Sequence, residues 1–129
     1  MNHLEEEIDE AIKTLGIDSR KLEAEELTAL ITALTNTFFK SESNVLDPVE
    51  LNETNTEHNP NFWKEIQQRI HKKDLTLLAF DSRYSAWEVE NPQNLASILG
   101  ETTGYPFWVT DSNLTLLVHM DDHDCVIWA

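Results

Sequence analysis

The sequence predicts an α+β protein, a single domain over residues 1–129, with helices in its first half and a mainly antiparallel sheet in its second. Three observations carry this expectation. Apolar residues recur at helical spacing up to about residue 72, then switch to strand-length runs and alternation. Connections after residue 80 are short, which favours antiparallel neighbours. A chain of 129 residues, 40% hydrophobic with four Trp and five Phe, is the size of one domain and can build one core.

The first helix rests on Leu4, Ile8, Ala11, Ile12 and Leu15, with Glu5–Glu7, Asp9 and Glu10 on or beside the opposite face. Asn2 or His3 can cap it and Gly16 can end it. A second helical stretch runs from about Asp18 to Phe39, capped by Asp18 or Ser19, with a stripe of Leu27, Leu30, Ile31, Leu34 and Phe38. The short link at Gly16–Asp18 predicts that residues 1–39 form a helical hairpin. Residues 40–60 read as a polar loop broken by Pro48 and Pro60, with Val45, Leu46, Val49 and Leu51 able to pin part of it to the body. A third helix, about Asn61 to Lys72, places Phe62, Trp63, Ile66 and Ile70 on one face.

Residues 61–129 then read as that helix plus a sheet of about five strands. Leu75–Phe80 is apolar throughout, as a buried central strand should be. Along Tyr84–Glu90, Tyr84, Ala86, Glu88 and Glu90 share one face and Ser85, Trp87 and Val89 the other. Asn91-Pro92 opens one short inserted helix, which Gly100 ends. A three-strand meander follows: Phe107–Thr110, a turn at Asp111-Ser112-Asn113, Leu114–Met120, a turn at Asp121-Asp122-His123, and Cys125–Trp128.

Charge narrows the function. There are 24 Asp+Glu and 9 Lys+Arg, a formal charge of −15. That balance argues against nucleic acid and against an anionic membrane surface as partners. No apolar run approaches membrane-spanning length, the start lacks a signal-peptide pattern, and Cys125 is the sole cysteine, so a cytoplasmic protein without disulfides is expected. Residues 61–83 hold the one net-basic patch, with Lys64, Arg69, Lys72 and Lys73. Residues 84–129 hold seven acids and no Lys or Arg.

Within this last stretch the expected contact residues for a basic protein partner are Trp87, Glu88, Glu90, Asp111, Asp121 and Asp122. Acids steer a cation inward and an aromatic anchors it. The competing reading is that the acids only confer solubility and the Trp residues are core. A second candidate is metal: His119, Asp121 and His123, with Cys125 nearby, put imidazole, carboxylate and thiol within seven residues. This run matches no standard zinc or calcium spacing. His123 with Cys125 could form a nucleophile and base, although neighbouring acids raise a thiol's pKa. Glu88 with Glu90 could act as an acid–base pair if buried. There is no Gly-rich phosphate loop and no nucleophile elbow. No cofactor is expected, and the chain reads as a binding protein rather than an enzyme; the alternatives are a small metal-binding domain or metal-dependent enzyme using the His119–Cys125 cluster, and an adaptor module.

The stretch Tyr84–Ala129, without bases and carrying Trp87, Trp108 and Trp128 among Glu88, Glu90, Glu101, Asp111, Asp121, Asp122 and Asp124, resembles in general character the small acidic immunity proteins of bacterial polymorphic and contact-dependent toxin systems. The resemblance implies a cytoplasmic α+β inhibitor that caps a basic toxin domain such as a nuclease. It carries no individual functional residue with it.

Overall fold

A computed structural model of the chain describes residues 3–102 and 104–129. Among them the order is α1 (His3–Leu15), β1 (Ser19–Lys21), α2 (Ala24–Phe38), a 3₁₀ turn (Pro48–Glu50), β2 (Asn55–His58), α3 (Phe62–Arg69), β3 (Leu75–Asp81), β4 (Arg83–Val89), α4 (Pro92–Glu101), β5 (Phe107–Asp111), β6 (Leu117–Met120) and β7 (Cys125–Trp128). The strands form one seven-stranded sheet in the order β1-β4-β3-β5-β6-β7-β2. Each neighbouring pair is antiparallel. The α+β class and the antiparallel sheet therefore match expectation, while the strand number does not.

Both faces of the sheet are covered. On one face Leu75, Leu77, Trp87, Val89, Phe107, Val109, Val118 and Val126 pack under Ile8 of α1, Phe62 and Ile66 of α3, and Leu95 and Ile98 of α4. On the other, Leu78, Ala86, Trp108 and Leu117 pack under Ile31 and Leu34 of α2 and under Phe39, Leu46 and Leu51. Alternation along each strand assigns its side chains to one layer or the other. A strand with both faces covered reads as a continuous apolar run, and β3 is buried from Leu75 through Ala79.

The expected helical hairpin is replaced by a different arrangement. α1 ends at Gly16, whose φ of +67° lets the Gly16 amide reach Lys13 O and the Ile17 amide reach Ile12 O. The chain then enters the sheet edge as β1, with Ser19, Arg20 and Lys21 opposite Val89, Glu88 and Trp87. Passing through the sheet plane there puts α1 on one face and α2 on the other. α2 begins at Ala24, not near Asp18, behind a capping box in which the Glu23 side chain accepts from the Glu26 amide and the Glu26 carboxylate from the Glu23 amide. The expected cap Asn2 lies outside the described residues, and His3 is already the first helical residue.

The expected polar loop 40–60 also contains structure. Leu46 and Leu51 are buried, Phe39 bridges to Leu51, and β2 forms the far edge of the sheet against β7. Asn91 caps α4 as expected, its side chain accepting from the Asn94 amide at 2.9 Å. The strand expected from Leu114 starts at Leu117, because Leu114 takes a left-handed φ of 53° in the preceding turn. α3 stops at Arg69, short of the expected Lys72.

Candidate functional site

The fold leaves a groove of about 790 Å³ between α2 and the end of the sheet where β3 begins and β4 and β5 finish. Asp18, Glu26, Asp74, Glu88, Glu90 and Asp111 line it, with Arg20 as the one base among the described residues that do so. Leu22, Leu30 and Leu114 give it apolar walls. Each contributor has a local reason to be there. Asp18 and Arg20 arrive with the edge strand, Glu88 through its register with Arg20, and Asp74 and Asp111 through the strand ends Leu75 and Asp111, which are paired.

The carboxylates fall into three kinds. Glu26 and Glu88 flank Arg20, whose Nη1 and Nε donate to them at 2.8 Å each. The Arg20 guanidinium holds the Glu26 carboxyl below its usual range, and Glu26, then Glu88, raise Arg20 further. Asp111 is 3% exposed and serves the fold. It accepts from the Thr115 amide at 2.7 Å, the Leu116 amide at 3.0 Å and the Thr115 hydroxyl at 2.5 Å. Burial pushes its carboxyl up, but these donors outweigh burial and hold it below the ordinary value. Asp18, Asp74 and Glu90 are exposed, and no side chain among the described residues pairs with them.

The expected contact residues divide. Glu88 and Glu90 lie at the groove. Trp87 is corrected: it is 1% exposed, on the opposite face of β4, and its indole N–H donates to Asp9 Oδ1 of α1 at 2.8 Å. A buried ring with its polar atom satisfied braces the core and offers no anchor. Asp111 is corrected likewise, from surface contact to turn cap. Asp121 and Asp122 follow β6 at the opposite end of the sheet, since Met120 pairs with Phe107 and Asp111 pairs with Leu75. Four residues of strand, about 13 Å, separate the two ends. Asp121 also caps a turn, accepting from the His123 and Cys125 amides at 2.8 and 3.0 Å.

The candidate metal ligands are not brought together. His119 is buried, stacked on Trp108 with centroids 4.1 Å apart, and its Nδ1 lies 3.0 Å from Phe107 O. Asp121 faces its own turn, and His123 is exposed beside Asp122. Among the described residues no group of three His, Cys, Asp or Glu is placed to hold a metal ion. Within the basic patch, Arg69 pairs with Glu57 of β2 and lies against the Phe62 and Trp128 rings, and Lys64 lies over the Trp63 ring.

Sequence reasoning missed Asp18, Arg20, Glu26, Asp74 and Thr76 as groove residues. No local signal marks them, because only the pairing of β1 with β4 makes residues 18–26 neighbours of residues 74–90. The chain matches no protein-family model, and no curated protein matches it. No helix among the described residues is long and apolar enough to cross a membrane.

Proposed function

We propose that this chain is a non-catalytic acidic binding protein of the cytoplasm, an inhibitor or immunity protein that neutralises a basic partner such as a nuclease toxin. The groove beside α2 is its docking site. The observation that supports this most is the set of groove carboxylates, Asp18, Asp74 and Glu90, that the fold leaves uncompensated around apolar walls. A nuclease needs a basic surface to hold a phosphate backbone. An acidic counterpart occupies that surface and associates quickly through long-range attraction, and apolar contact then slows release.

The test is capture of the partner followed by calorimetry. Asp74→Lys with Glu90→Lys is expected to weaken binding at least tenfold without lowering the melting temperature. Glu6→Lys with Glu10→Lys, on α1 across the sheet, is expected to change it less than threefold. Equal losses from both pairs would show that overall charge, and not this groove, carries binding. No loss from either would remove the acidic surface from the interface.

A further inference from the structure

One side chain at the floor of the groove is left unused by the fold. Thr76 is 8% exposed and stands on β3 between Glu88 of β4 and Thr110 of β5, on the face that carries α2. No described residue hydrogen-bonds its hydroxyl. Thr110 beside it is fully buried, yet its Oγ1 donates to Leu116 O at 2.8 Å. A buried hydroxyl without a partner is unusual, because burial removes it from water and returns nothing. One that lines a groove is placed to meet a group arriving with a ligand.

What surrounds Thr76 defines that group. Leu22, Leu30 and Leu114 suit an alkyl stem, and Asp18, Asp74 and Glu90 stand around the opening as uncompensated acceptors. Three acceptors line the one groove, and a planar fork of five donors can meet more of them than a single ammonium does. Guanidinium is also the more weakly hydrated cation and tolerates apolar walls better. The groove, at about 790 Å³, is larger than one side chain and leaves room for flanking residues of a chain segment. The geometry points to an arginine side chain of the partner, carried on an extended segment, as the occupant, with its guanidinium at the Thr76 hydroxyl and the surrounding carboxylates. This rests on the reading of the groove as the docking site for a basic protein.

The experiment titrates the isotope-labelled full chain with the capped peptide Ac-Ala-Arg-Gly-Arg-Ala-NH₂ and follows backbone amide shifts. Saturable shifts at Thr76, Glu88 and Leu114 are expected, with affinity at least fivefold above that of the lysine peptide and no saturation with the citrulline peptide. Thr76→Val is expected to cost the arginine peptide three- to tenfold, and Thr76→Ser to restore it. The assignment is overturned if shifts centre on Asp121–Asp124, if Thr76→Val changes nothing, or if spermidine binds the groove more tightly than the arginine peptide. The two readings separate cleanly. A captured partner that is weakened by Asp74→Lys with Glu90→Lys but indifferent to Thr76→Val overturns the arginine site and leaves the inhibitor reading standing. A peptide held in the groove of a chain that captures no basic protein does the reverse.

Discussion

His119 shows what a single side chain can do when the fold takes it out of water. Burial holds its imidazole below the ordinary histidine value, and the Phe107 carbonyl and the Asp121 charge oppose that shift without cancelling it. The folded ring is therefore kept neutral. Below about pH 6.5 the unfolded chain takes up a proton that the folded chain refuses. The stability contributed by the neutral ring is complete above that pH and is lost as pH falls toward the depressed folded value. The melting temperature is expected to drop between pH 7.5 and 5. His119→Asn keeps an N–H near Phe107 O but cannot titrate, so it should melt lower at pH 7.5 and show a flatter profile. An unchanged slope in the variant would assign the pH dependence elsewhere. The same residue explains a limit of sequence reading. His119 and His123 look like companions four residues apart, and only burial tells that one is a core ring and the other a surface side chain. Asp111 and Trp87 misled in the same way, since a carboxylate that caps a turn and one that faces a partner are identical in sequence.

At the scale of elements, α3 and α4 meet with almost no clearance. A Cβ added at Gly100 would lie 2.8 Å from Cζ3 of Trp63, closer than real contacts allow. Gly→Ala within a helix gains up to about 1 kcal/mol, whereas overpacking costs about 1–3 kcal/mol. Gly100→Ala is thus expected to destabilise by about 1 kcal/mol. In a Trp63→Leu background, where the ring is gone, the same change should stabilise. A denaturant double-mutant cycle reads this reversal, and an equal effect in both backgrounds would show that the helices do not meet at this point. The elements legible in the sequence are those whose side chains carry the signal: the buried run of β3, the alternation of β4, the Asn-Pro start of α4 and the final strand Cys125–Trp128. The two edge strands were not legible. Ser19-Arg20-Lys21 and Asn55-Thr56-Glu57-His58 are polar, because an edge strand is held by backbone hydrogen bonds and one neighbour. Missing β1 is what turned two helices on opposite faces into an expected hairpin, and it hid half of the groove.

For the whole molecule, the distribution of bases matters more than their number. Arg20 is held by Glu26 and Glu88, Lys21 by Glu5 and Asp9, Arg69 by Glu57, and Arg83 by Glu5. These pairs join neighbouring elements and leave the surplus acids facing solvent. Two salt effects of opposite sign follow. In the free chain, a charge of −15 repels itself across the surface, and the repulsion relaxes when the chain unfolds. Added salt shortens the Debye length from about 10 Å at 0.1 M, so the free chain should melt higher in 500 mM than in 50 mM NaCl. In the complex the same screening removes the attraction that gathers a basic partner. The association rate should fall more than tenfold over that range while the dissociation rate changes less than threefold. Asp74→Lys with Glu90→Lys should flatten the dependence of association on salt, because those carboxylates line the groove and supply part of its attraction. Stopped-flow association at four salt concentrations measures this. A rate that does not move with salt would mean that the acidic surplus only keeps the chain soluble, and that recognition runs through apolar contact alone.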